Sequence, residues 1–232
     1  MLVSVSRFET SHRFQKLWLA VECGLLFVGV PVAYAVGWLP VTIIPLLLLM
    51  AGGCWLVLRW QYKTTMRDLL RTRVPGLEWR RIVIIYTVAI PCLICLLWAM
   101  KPAALFSLMC RHPGIWLLVM FAYPVISVFP QELIYRAFFF ERYRPLFGRG
   151  VGMVAASAAT FSVGHVVFHN WPAVILTWFG GWLFEKTYQR TSSLLMVSVE
   201  HAFYGCAVFT IGYGEFFFEG TLHLFRQWPG GN

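Results

Sequence analysis

The sequence predicts an all-α protein, a polytopic transmembrane bundle of about seven to eight helices. Three observations carry that expectation. Hydrophobic residues make up 59% of the 232-residue chain and charged residues only 12%, where a soluble domain carries about 25% charged residues. Mean hydropathy is +0.69. Apolar segments recur at about 17–38, 41–58, 82–100, 114–141, 151–169, 172–188 and 193–213, each near the roughly 20 residues that cross a bilayer as a helix. The whole chain, 1–232, is expected to be one integral-membrane domain.

The first segment is too long for the apolar core of a signal peptide, so no cleavable leader is expected. The fourth is the longest, and Pro130 within it predicts a kink. Basic residues orient the bundle. Arg7, Arg13 and Lys16 precede the first segment. Arg59, Lys63, Arg67, Arg71, Arg73, Arg80 and Arg81 lie between the second and third. Arg142, Arg144 and Arg149 follow the fourth, and Lys186 and Arg190 follow the sixth. With alternating spans these share one side, leaving Lys101, Arg111 and Arg226 opposite, beside Glu215 and Glu219. The N-terminus is therefore expected in the cytoplasm, in a bacterial inner membrane. The 59–81 connection is expected on the membrane surface, its basic residues against anionic headgroups. The formal charge of +9 then reflects cytoplasmic loops and a lipid partner rather than nucleic acid. Cys23, Cys54, Cys92, Cys95, Cys110 and Cys206 fall mostly in apolar runs, so free buried thiols are expected, including the Cys92/Cys95 pair.

Ionisable residues inside membrane segments are costly and mark function by default. Here they are Glu22, Glu132, Arg136, His165, His169, Glu200 and His201. At 1.5 Å per residue, Glu132, His165 and His201 lie ~18, ~22 and ~13 Å from the cytoplasmic end. Three segments thus bring a carboxylate and two imidazoles to a similar depth. Glu132 and Arg136 are four apart and share a helix face, with Gln131 one step round. Such a pair can pin helices together. It can also, with two imidazoles, activate a water and stabilise an oxyanion, which is enough to hydrolyse an amide without a covalent intermediate. Glu22 and Glu200 are expected to be paired structurally.

The order of three short motifs resembles that of the CPBP family, the CAAX-protease and bacteriocin-processing intramembrane proteins. Phe129-Pro-Gln-Glu-Leu-Ile-Tyr-Arg136 is similar to the first motif, two glutamates, three residues, then arginine. Phe161-Ser-Val-Gly-His165 matches the second, and His201-Ala-Phe-Tyr-Gly205 matches the first half of the third, which ends in Asn or Asp. The resemblance covers about 114–213, the expected catalytic core. It implies an intramembrane glutamic endopeptidase without cofactor or metal, of the prokaryotic, myxosortase-like kind that processes C-terminal sorting signals. The substrate would be a membrane-anchored protein or peptide, cut near its C-terminal anchor. Glu132 with His165 would activate water, Arg136 would orient the carboxylate, and His201 would stabilise the oxyanion. Phe161, Tyr204 and Gly205 would contact substrate.

Two positions depart from the pattern. Gln131 replaces the first glutamate, and an amide is no general base. Either Glu132 takes that role, or the chain is a non-catalytic relative that holds a peptide, or a glutamate was replaced there. Gly205 has no side chain, so His201, Tyr204 or a backbone group must supply the oxyanion contact. The spacing of His165 and His169 also suits a zinc-binding helix, with His201 or Glu200 as third ligand. Position 166 is Val where HExxH requires Glu, so a metal-free site is expected, with His169 and Asn170 at a helix end. A small transporter is disfavoured by the lack of internal repeats.

Overall fold

The computed structural model describes residues 2–72 and 76–217, with side chains from residue 13 onward. The side chain of Arg7, and Arg73, Glu219 and Arg226, lie outside the described residues. Helix α1 (Leu2–Gly24) runs through a π-helical turn (Leu25–Gly29) into α2 (Val30–Ala35), and α3 (Ile43–Gln61) follows. The short α4 (Met66–Leu69) lies in the basic 59–81 connection, started by a capping box between Thr65 and Asp68. Next come α5 (Gly76–Met100) and α6 (Ser107–Arg111). Then α7 (Pro113–Tyr123), α8 (Phe129–Glu132) and α9 (Phe139–Phe147) join through two π-helical runs into one span. The set ends with α10 (Val151–Gly164), α11 (Trp171–Thr191) and α12 (Leu194–Ile211). No strand occurs among the described residues. Among the described residues, six helical segments are long and apolar enough to cross a membrane, and α11, 21 residues long, lies beside them. The chain is an all-α integral membrane protein.

Where the sequence predicts a kink at Pro130, π-helical runs at Pro124–Val128 and Leu133–Phe138 flank the proline. Proline lacks an N–H and crowds the preceding turn, and wider turns accommodate both. Each also shifts the side-chain register around the helix, which matters at the site below.

Lipid is as apolar as a leucine side chain, so helices here associate by close packing and polar contacts. The α10–α11 hairpin shows the first. A β-carbon added at Gly181 would lie 3.0 Å from the Ala158 Cα, so any larger residue would press the two helices apart. Aromatic edges supply more: the Phe27 ring sits 5.0–5.7 Å from those of Tyr135, Phe139 and Tyr143. Polar contact appears where Arg142 grips Glu22 through two nitrogens, at 2.8 and 2.5 Å, with the Tyr143 hydroxyl at 3.1 Å. Glu22 is thus paired, and ties α1 to α9. Outward-facing residues such as Phe121, 76% exposed, are left for lipid.

Candidate active site

The bundle interior holds a continuous polar chain. Arg136 and Glu132 are both 0% exposed. The Arg136 Nε lies 3.1 Å from Glu132 Oε2, an ion pair one helical turn long. The guanidinium also donates from Nη1 to the Ser157 hydroxyl at 2.5 Å and to the Tyr135 carbonyl at 3.2 Å. Its face lies over the Phe161 ring, 4.8 Å from the centroid. The other carboxylate oxygen, Glu132 Oε1, accepts from His201 Nδ1 at 2.7 Å. Nε2 of His201 lies 3.0 Å from the Tyr123 hydroxyl. The imidazole is stacked on Phe184 at 4.5 Å and meets the Phe161 edge at 5.6 Å. Four side chains from two spans therefore form the line Arg136, Glu132, His201, Tyr123.

This line ends at a cavity of about 650 Å³. His201, His165, Gln131, Tyr123, Tyr204 and Gly205 all face it, and so does Phe161. The remaining wall is almost entirely apolar, with Leu47, Leu96, Leu118 and Phe179 among its residues. Glu132 and Arg136 stand behind the wall and do not line the cavity. Gln131 lines it instead: its amide nitrogen donates to Ser127 Oγ at 2.8 Å, and its Oε1 has no hydrogen-bond partner among the described residues.

His165 follows the last residue of α10, where the chain leaves the helix at Gly164. Its Nδ1 lies 2.7 Å from the Phe161 carbonyl. A carbonyl only accepts, so Nδ1 carries the proton, and the Nε2 of the neutral ring presents a lone pair. The imidazole bonded to Glu132 is therefore that of His201 rather than His165. The end of α10 also removes the helical spacing of His165 and His169. His169 has φ +53° beyond a 3₁₀ turn, and Asn170 starts α11 by accepting from the Ala173 N–H at 2.9 Å.

Residues 113–207 match a family model described as Type II CAAX prenyl endopeptidase Rce1-like. The family is one of proteases, and the matched stretch runs from α7 into α12. It contains every site residue named above except those of the apolar wall contributed by α3 and α5. Comparisons with curated proteins and with solved structures gave no match.

Two participants escaped the sequence. Tyr123 is one; it sits in an apolar run that reads as lipid-facing. Glu185 is the other. It is fully buried beside Ser157 and Arg136, and accepts from Gln189 Nε2 at 3.2 Å. This second buried carboxylate near Arg136 was not legible, because Glu185 lies next to the cytoplasmic-looking Lys186. Glu200, also fully buried, does not join this line. It faces Arg81 at 3.5 Å, which binds Glu78 at 3.0 Å and Thr187 as well.

Proposed function

We propose that this chain is an intramembrane endopeptidase that cleaves a membrane-anchored protein or peptide near its C-terminal anchor or tail. One observation carries the reading: a buried Arg–Glu–His line ends on a large apolar cavity that a second imidazole also faces. An apolar wall suits a lipid-soluble tail, and polar groups confined to one end suit a peptide bond held there. The matched family, of Type II CAAX prenyl endopeptidase Rce1-like proteins, points the same way.

In this mechanism His165 takes the proton of the attacking water on Nε2, and the Gln131 carboxamide oxygen accepts the water's other hydrogen. The carbonyl oxygen of the substrate turns toward His201. Glu132 works from behind the wall: anchored by Arg136, it accepts the Nδ1–H of His201 and so fixes the orientation and tautomer of that ring. Glu132 thus acts on the reaction through an imidazole. The core is residues 114–213, in a bacterial inner membrane with the N-terminus in the cytoplasm. Lipid is the standing partner, and the site uses no cofactor or metal.

A second reading has its own observation. Gln131 offers the cavity an amide, which cannot take a proton, so the same cavity suits a protein that holds a peptide without cutting it. Reconstitution in proteoliposomes separates the two. The probes are an S-farnesyl-cysteine peptide with three further residues, and a single-span peptide with a short C-terminal tail, read by mass spectrometry. Cleavage by the native chain, lost in His165→Ala, supports the protease. Cleavage only after Gln131→Glu makes position 131 the base and the native chain inactive. Binding without cleavage by either form supports the peptide holder.

A further inference from the structure

His201 and Gly205 are four residues apart on α12, so a side chain at 205 would stand directly beside the imidazole. The Tyr123 ring fills that space. A β-carbon at 205 would lie 2.7 Å from Tyr123 Cζ, inside the distance at which atoms overlap, and would meet the ring hydroxyl as well. The phenol arrives from α7, at the last residue before the Pro124–Val128 π-helical run. It is held against Phe209 at 5.1 Å, edge to face. Its oxygen is 3.0 Å from His201 Nε2, and both residues face the cavity. Glycine at 205 and tyrosine at 123 are therefore one arrangement: the first makes room for the second.

We propose that Tyr123 is a catalytic residue of this site, its phenol standing in for the side chain that position 205 lacks and donating the hydrogen bond that stabilises the tetrahedral oxyanion. The inference rests on the hydrolytic reading above. A phenol suits the task because it has one proton to donate and two lone pairs to accept with. As the water oxygen attacks the carbonyl carbon, the π pair moves onto the carbonyl oxygen and the water proton passes to His165. The Tyr123 hydroxyl turns its proton from His201 to that oxyanion, while its oxygen stays within reach of the imidazole. When the C–N bond breaks, the leaving nitrogen takes the proton back from His165. The products are a carboxylic acid and an amine, with water supplying the added oxygen and hydrogen.

The test is Tyr123→Phe, which keeps the ring and removes the donor. It is assayed in whichever parent cleaves, native or Gln131→Glu, with the farnesylated peptide and the single-span peptide as probes. The expected result is a kcat lower by about 10²–10³-fold, with KM and the melting temperature little changed. A peptidyl trifluoromethyl ketone, which mimics the tetrahedral adduct, should lose affinity in parallel while the plain peptide does not. The second variant is Tyr123→Ala with Gly205→Asn, where a carboxamide can enter the vacated space. It should exceed Tyr123→Ala alone by at least about tenfold in kcat, whereas Gly205→Asn with Tyr123 in place should lower the melting temperature by overlap. An active parent whose Tyr123→Phe rate stays within about twofold overturns this inference alone. Both parents inert toward both probes overturns the hydrolytic reading, and the catalytic role of Tyr123 with it.

Discussion

Glu132 holds His201, Oε1 to Nδ1 at 2.7 Å, and neither carboxylate oxygen reaches the cavity. The other oxygen belongs to Arg136. This relationship explains why charges are tolerated inside a membrane bundle at all. A lone carboxylate in hydrocarbon is expensive, and one that is paired and hydrogen-bonded costs far less. It also separates two jobs that the sequence merges. The carboxylate orients an imidazole, and the polar groups that face the cavity include imidazoles, an amide and phenols.

Glu132→Gln should therefore damage both stability and activity. It leaves a fully buried guanidinium facing an uncharged amide, and breaking a buried pair by removing one partner costs about 3–5 kcal/mol. Cleavage should fall by about 100-fold or more, since His201 loses the group that fixes it. The double variant Glu132→Gln, Arg136→Met distinguishes the two effects. Unfolding followed in detergent micelles should show much of the stability regained, because the unpaired charge is gone. Cleavage should not return. Recovery of both would reduce the pair to a structural clasp.

His165→Asn should behave differently. The amide of Asn can keep a hydrogen bond near the Phe161 carbonyl, but it offers no lone pair that takes up a proton. Cleavage should drop by about 10²–10⁴-fold with the melting temperature nearly unchanged. A rate close to that of the native chain would move the base elsewhere, with position 131 the next place to look.

The sequence carried the class of fold and the membership of the site further than its geometry. Apolar runs with sparse charges are enough to show a membrane bundle, and charges that survive in such runs stand out because lipid selects against them. Glu132, Arg136 and His201 were visible for that reason. Which of Gln131 and Glu132 faces the cavity was not, because a regular 100° step per residue fails beside a π-helical run. Glu185 hid behind a neighbouring lysine, since charge near a span end reads as loop. Tyr123 hid because tyrosine is ordinary in membrane helices. The signal that could have found it was indirect: a glycine four residues after His201, asking what fills its place.

Away from the Arg136–Glu132–His201 line, Arg81 should matter more than Glu200. The arginine joins three helices, with Glu78 on α5, Thr187 on α11 and Glu200 on α12. Arg81→Met leaves the fully buried Glu200 carboxylate without its cation, for a cost of about 3–5 kcal/mol. Glu200→Gln leaves Arg81 still bound to Glu78 at 3.0 Å and to Thr187, so the loss should be smaller. Melting temperatures of the two variants in the same detergent check the order. The reverse order would mean that Glu200 is stabilised by groups other than Arg81.

Gly181→Ala tests how far helix packing sets the site. The new methyl group would lie 3.0 Å from Ala158 Cα, 3.4 Å from the Ala158 carbonyl oxygen and 3.2 Å from Phe161 Cδ1. Two of those atoms are backbone and cannot swing aside, so α10 and α11 must part by a few tenths of an ångström. Overpacking of this kind costs about 1–3 kcal/mol. The third atom belongs to the ring that lies under Arg136 and against His201, 4.8 Å and 5.6 Å away by centroid. A shift of Phe161 therefore reaches two members of the polar line, Arg136 and His201, without touching a polar atom. Cleavage should fall by more than the stability loss alone explains, with kcat affected more than KM, since misplacing a positioned group by a fraction of an ångström weakens the transition state first. Gly180→Ala is the control one residue away. Its β-carbon would meet only the Phe184 ring, at 3.2 and 3.4 Å, a flexible side chain rather than backbone. It should cost less stability and leave α10 where it is. Equal losses of stability at 180 and 181 would show that the hairpin yields freely; activity is read at 181, because the Phe184 ring met by a β-carbon at 180 is stacked on His201.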